Sequence, residues 1–308
     1  MTDEIEIKKK RAIKKIINAA VEIAQTPATD QDKAYMAMHL VQANLPHSKP
    51  ESDTWIRKNG NLTLGIQAGF DFKKNKSVGL PYGSKPRLLL LWIITEAVRT
   101  KSKRLELGAS LAGFMRELGL NPDNGTGKRS DAKQLREQME RLLMAKFSFN
   151  WTLIDEQGRE GHKWLNMDVA PAGELWWDLK QPEQANIFGS WIELGEHFYN
   201  AIIASPIPLD IRALIALKQS PLALDLYMLM ALEAYKAYKS GKSRFIPWAG
   251  LYEQMGAEYS TVKNFKQKLK LALRKVRTVS PKLCVSDETG GIKITSDSFP
   301  AINPKELT

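Results

Sequence analysis

The side chains best suited to metal or acid–base chemistry are four histidines, His39, His47, His162 and His197, and no two of them are close in the sequence. Metal-dependent nicking of DNA uses a His-hydrophobe-His pair with a tyrosine nucleophile, and that pair is missing here. The single cysteine, Cys284, excludes an intramolecular disulfide and any cysteine-based zinc site, which needs at least two thiolates. Gly241-Lys242-Ser243 imitates the end of a phosphate-binding loop, but Lys236 stands where the loop needs its first glycine. Gly127-Lys128 fails twice, with Pro122 in the first glycine position and Arg129 in the hydroxyl position. The acids Glu51, Asp53, Asp123 and Asp131 have no spacing that separates a catalytic pair from loop and capping residues. The expectation is a chain with no catalytic site, no metal and no cofactor.

What the sequence does concentrate is positive charge. Lys and Arg number 45 against 34 Asp and Glu, a net +11 that concerns partners rather than fold. Residues 241–282 alone hold ten basic residues against Glu253 and Glu258, and so carry most of the excess. A charge gathered in one stretch is the footprint expected for nucleic acid.

Within that stretch, YSTVKNFKQKLKLALRKVRTV reads as a helix opened by Ser260 or Thr261 and closed by Ser280-Pro281. At about 100° per residue, Val262, Phe265, Leu269, Ala272, Leu273 and Val276 share an apolar stripe. Lys263, Lys266, Gln267, Lys270, Arg274 and Arg277 form a separate flank, with Lys268 and Lys275 on its far side. A solvated surface helix would normally carry acids four residues from its lysines. None lies between Glu258 and Asp287, so an external anion would relieve the self-repulsion. DNA or RNA is the expected partner. Lys263, Lys266, Gln267 and Lys270 should lie nearest the bases, with Arg274 and Arg277 nearer phosphate.

The elements that must hold this helix recur in the chain. Leu111-Ala-Gly-Phe-Met-Arg-Glu-Leu-Gly119 aligns with Trp248-Ala-Gly-Leu-Tyr-Glu-Gln-Met-Gly256, and PRLLLLWIITEA from Pro86 aligns with PLALDLYMLMAL from Pro221. Each short helix is followed by a basic amphipathic one, from Ser130 and from Ser260. Each of those is followed by a hairpin pattern: FSFNWTLID and HKWLNMDVA around EQGREG, then KLCVSD and IKITSD around ETGG. This is the element order of a winged helix-turn-helix, whose third helix enters the major groove.

The expected fold is therefore α+β, two tandem winged-helix domains related by internal duplication. The expected bounds are 61–182 and 186–308, divided at the polar segment 179–189, with 1–60 as a partly flexible helical appendage packing on the first domain. In the first domain, Lys128, Arg129, Lys133 and Arg136 gather where a helix N-terminus already favours phosphate, so its expected role is positioning rather than reading. The tryptophans, including Trp151, Trp164, Trp176 and Trp177, sit mostly in strand patterns, where core packing is expected. The N-terminus lacks a signal peptide's apolar stretch, and the longest apolar run, Leu88–Ile94, is too short to span a bilayer, so a cytoplasmic protein without a membrane partner is expected.

Two segments, GLPYGSKPRLLLLWIITEAVRT (79–100) and RLELGASLAGFMRELGL (104–120), resemble the RepA-type initiators of broad-host-range plasmids, and the resemblance extends over roughly residues 60–300. It implies a non-enzymatic initiator that binds directly repeated iterons at a plasmid origin as a monomer. It also implies opening of an adjacent A·T-rich region, recruitment of the host replicative helicase, and contact with the host initiator. Autorepression as a dimer follows from the same resemblance, with the second winged helix making the main base contacts and the first supplying the dimer interface. A tandem winged-helix transcriptional repressor would have the same composition, and footprints on direct rather than inverted repeats separate the two.

Overall fold

In the computed structural model the described residues are 2–42, 44–123, 130–177, 181, 183–184, 189–256, 258–299 and 301–302, with side chains from residue 10 onward except Arg11. The chain opens with helix α1 (Thr2–Gln25), strand β1 (Lys33–Ala37) and the short helix α2 (Met38–Gln42). Strands β2 (Thr54–Asn59) and β3 (Leu62–Gln67) follow, then the two-residue strands β4 (Phe70–Asp71) and β5 (Lys76–Ser77). Next come α3 (Ser84–Thr100), β6 (Arg104–Glu106), α4 (Leu111–Glu117) and α5 (Asp131–Met144). Strands β7 (Lys146–Ile154), β8 (Glu160–Asp168), β9 (Ala172–Glu174) and β10 (Trp191–Glu193) lead to α6 (Glu196–Ala204). The remainder is β11 (Pro206–Asp210), α7 (Ile211–Leu217), α8 (Pro221–Ser240), β12 (Arg244–Pro247), α9 (Trp248–Met255), α10 (Val262–Val279), β13 (Val285–Glu288) and β14 (Gly291–Ile294).

These mixed α/β elements divide into a central unit, Ala43–Pro206, and a terminal unit made of Met1–Gln42 and Ile207–Thr308. The division differs from the expected bounds in two places. Residues 1–60 are not one appendage on the first domain. β2 is a strand of the central unit, whereas 1–42 completes the terminal one. The cause is burial and pairing: Ile16, Ala34, Met36, Leu40 and Val41 are buried, and β1 pairs with β11. The Arg212 guanidinium donates to the Thr26 carbonyl at 3.1 Å, and the Gln254 amide donates to the Val41 carbonyl at 2.9 Å.

The second difference concerns the segment 179–189, much of which lies outside the described residues. β10, just beyond it, pairs antiparallel with both β6 and β9, with Ile192 opposite Leu105 and Gly173. Ile192 and Leu105 are both buried, so the span between β9 and β10 lies inside the central unit and is no linker between units.

In the central unit α3 supplies the core with Leu88, Leu89, Leu90, Leu91, Ile93, Ile94 and Ala97. The buried Arg87 donates to the carbonyls of Leu45, Pro46 and Gly83, so backbone dipoles help to solvate its charge. The hairpin expected after α5 is present as β7–β8, with Phe147 opposite Met167 and Phe149 opposite Leu165. It joins β2 and β3 in a four-stranded antiparallel sheet ordered β2-β3-β7-β8, not the strand that follows α3. That strand, β6, belongs to a separate sheet ordered β6-β10-β9.

In the terminal unit, too, a long helix is followed by a strand, two further helices and a closing hairpin. α8 is buried along most of its length, starts at Ser220 capping the Ala223 N–H with Pro221 at its first turn, and ends at Gly241 in the left-handed region. After it come β12, α9, α10, β13 and β14, and the sheet is ordered β12-β14-β13. In both units the strand after the long helix pairs with the last strand, and the last strand pairs with the one before it.

Candidate nucleic-acid interface

α10 begins where its sequence places it. The Thr261 hydroxyl accepts from the Asn264 N–H at 3.2 Å, capping the first turn, and the helix closes at Ser280. Phe265, Leu269, Ala272, Leu273 and Val276 are buried, and Val279 joins them. Val262 departs from the expected stripe and is largely exposed, because the core begins one turn further along at Phe265.

The arc opposite this stripe is exposed. Gln267, Arg274 and Thr278 lie furthest from the core, with Lys263 and Leu271 about 40° to either side. Lys268, Lys275 and Arg277 are exposed as well. Among the described residues none of Lys263, Lys268, Arg274, Lys275 and Arg277 pairs with an acid, so their charge is available to an anion.

Lys266 and Lys270 are placed differently from the other four members of the flank. The Lys266 ammonium lies 4.6 Å from the centroid of Trp248, at the start of α9, and the Lys270 ammonium lies 5.8 Å from the same ring. Lys270 also forms an ion pair with Asp287 of β13. These two lysines close over a buried indole and face the β12-β14-β13 sheet. Trp248 was legible only as the first residue of a repeated motif; its role as a platform under two lysines needs the tertiary contact. The hairpin β13–β14 is acidic near its turn, where Glu288 faces Lys293 at 3.7 Å, and that makes it a poor surface for phosphate.

The central unit's basic residues are less free. Lys128 and Arg129 lie outside the described residues. Lys133 is exposed in the first turn of α5, where the Ser130 hydroxyl accepts its N–H at 3.3 Å. Arg136 is exposed, and its guanidinium donates to the Trp177 carbonyl at 3.4 Å. Asp131 at the same helix start is paired with Lys85 at 2.8 Å. The ten expected contact residues therefore divide between the units, six on α10 and four at or before the start of α5. Core packing holds for Trp177, whereas Trp164 is 67% exposed and Trp176 is half exposed. β8, which carries Trp164, is an edge strand with a sheet neighbour along only one of its edges.

Residues 80–249, from just before α3 to the first turn of α9, match the model of the family described as plasmid encoded RepA protein. The chain belongs to this family. This RepA-family chain is thus a member of the RepA-type plasmid replication initiators, and its most cationic helix, α10, follows the matched segment. No curated protein sequence matches it. Among solved structures it is similar to a crystal structure of selenomethionine derivatives of domains 2 and 3 of RctB, with 12% identity and a TM-score of 0.47, covering 84% of this chain and 95% of that one. A second crystal structure of RctB domains 2–3 gives 12% identity and a TM-score of 0.42, covering 83% and 94%. Among the described residues no helix is long and apolar enough to cross a membrane.

Proposed function

We propose that this RepA-family chain initiates plasmid replication by binding directly repeated iterons in duplex DNA, using α10 as its reading helix, without catalysing any bond cleavage. The observation that carries the reading is the exposed arc of α10 that holds Lys263, Gln267, Arg274 and Arg277, where among the described residues no acid is paired to any of these cations. A bare cationic arc releases counterions when it meets phosphate, and Gln267 at its centre can hydrogen-bond an adenine edge.

Each unit acts as a winged-helix module in this reading. The matching sheet orders, β6-β10-β9 and β12-β14-β13, support a duplication in which β9–β10 corresponds to β13–β14. The β7–β8 hairpin is then an insertion with a task of its own, self-association. β8 is nine residues long and lies at a sheet edge, and it presents Trp164, a combination that soluble proteins normally cover. The protein binds iterons as a monomer, and its dimer represses its own gene. Opening of adjacent A·T-rich duplex and recruitment of the host helicase complete the reading and follow the family's pattern.

The test is a footprint of the purified full chain on its parent plasmid. Protection of direct repeats spaced by whole helical turns is the expected result. Protection of one inverted repeat over a promoter, with no protected origin, would make the protein a repressor instead.

A further inference from the structure

The most exposed large apolar side chain among the described residues is Phe72, at 88%, and it stands at the turn of the small hairpin β4–β5 in the central unit. The hairpin is held from both ends. At its base the Val78 N–H donates to the Gly69 carbonyl at 3.0 Å, and the Ser77 hydroxyl donates to Asp53 at 2.7 Å. Gly69 lies so close to the end of α5 that a Cβ there would come within 2.4 Å of Met144 backbone and side-chain atoms. Only glycine permits that approach, and the approach fixes where the hairpin leaves the unit.

At the turn, one Asp71 oxygen accepts from the Lys73 and Lys74 N–H groups at 3.0 and 3.1 Å, and the other accepts from the Lys74 ammonium at 2.6 Å. Asn75 takes the left-handed conformation that the reversal requires, with φ 50°. Phe70 meets Phe72 edge-on, with 5.1 Å between centroids, and braces one side of the ring. Lys73, Lys74 and Lys76 surround it, all exposed, and only Lys74 is engaged by Asp71.

A phenyl ring fixed in water amid cations suits a ligand with an apolar flat face and negative charge within one residue's reach. We infer that the β4–β5 hairpin is a binding site for single-stranded nucleic acid, with Phe72 stacking on an unpaired base while Lys73 and Lys76 hold the flanking phosphates. Bases inside a duplex have both faces covered by their neighbours, so such a ring finds a partner only where strands are separated. Phe72 offers no hydrogen bond, so the site grips any sequence. It would hold one strand of DNA once an origin has been opened, a task distinct from reading duplex through α10. The inference rests on the reading of this chain as a DNA-binding initiator.

The test uses the full chain with two probes, a fluorescein-labelled oligothymidylate of about 20 nucleotides and a duplex fragment of the parent plasmid's origin. Phe72→Ala should weaken oligothymidylate binding about tenfold or more, while Phe72→Tyr, which keeps the ring, stays close to wild type. Lys73→Ala with Lys76→Ala should weaken it too and flatten its salt dependence. Duplex affinity and melting temperature should be unchanged in all of them. Wild-type oligothymidylate binding by Phe72→Ala would overturn the site and leave the hairpin as a dock for a protein. Equal loss on both probes would overturn it in favour of a wedge driven into duplex. A wild-type chain that binds the duplex but not the oligothymidylate removes the hairpin proposal alone; one that fails on the duplex removes the initiator reading beneath it.

Discussion

Lys270 of α10 is ion-paired with Asp287 of β13, so one cation of this basic helix is already answered from within the protein. The pair is about half exposed on each side and joins the helix to the hairpin that follows it. Asp287→Asn should release that cation. Duplex affinity is expected to rise modestly, and the salt slope to steepen by about one unit, in binding isotherms over a range of salt concentrations. Lys270→Ala should cost less than Lys263→Ala on the same DNA, whereas their shared position on the flank suggests equal losses.

Gln267 and Arg274 should separate reading from grip. Gln267→Ala is expected to cost about 1–3 kcal/mol on the cognate site and to relax preference at one or two base pairs. Arg274→Ala should weaken all sequences alike and reduce the salt slope by about one unit. Lys268 and Lys275 are exposed at the margin of the same arc, so their alanine variants should show only the uniform, salt-dependent loss.

The terminal unit should fail to reach full stability without residues 1–42. Gln254 is buried and donates to the Val41 carbonyl, and removing the amide leaves that acceptor unpaired. Gln254→Ala is expected to destabilise the unit by about 1–3 kcal/mol, read as a lowered denaturation midpoint. A fragment of 207–308 alone should melt below the same fragment expressed together with 1–42.

Acid should loosen the same junction. Burial, the largest influence on Asp32, pushes its pKa up, but the Thr29 hydroxyl and N–H and the Arg212 guanidinium together outweigh it and hold the carboxyl below its usual range. A depressed carboxylate stabilises the fold above its unfolded pKa, and that contribution disappears as pH falls through the folded value. Asp32→Asn should therefore lower the melting temperature at pH 7. The difference from wild type should fade as the pH falls below the ordinary carboxylate range and through the lowered folded value.

Supercoiled parent plasmid incubated with the protein and Mg²⁺ should remain supercoiled. An open-circular product that depends on one tyrosine would reverse the non-enzymatic reading.

Local periodicity made α10, its Thr261 cap and the β7–β8 hairpin legible, because each is written in neighbouring residues. The sheet of β6, β10 and β9 was not. β6, β9 and β10 are three residues each, too short for an alternating pattern, so nothing in the sequence said that β6 would pair with β10. Residues 1–42 read as an appendage for the same reason. Pro27 and the polar run after it break the pattern, and the pairing of β1 with β11 spans most of the chain. On α10 the charge pattern gave the cations but not their neighbours; Trp248 and Asp287 reach Lys266 and Lys270 only through the fold.

The first 42 residues leave the ribosome well before the elements they pack against. Roughly 165 residues separate them from the rest of their unit, and at about 5–20 residues per second that is on the order of ten to thirty seconds of synthesis. During that interval the central unit is being made, and α1 and β1 have no partner to fold on until it is complete. The unit that carries α10 is thus completed only after the central one, from segments that lie on either side of it in the chain.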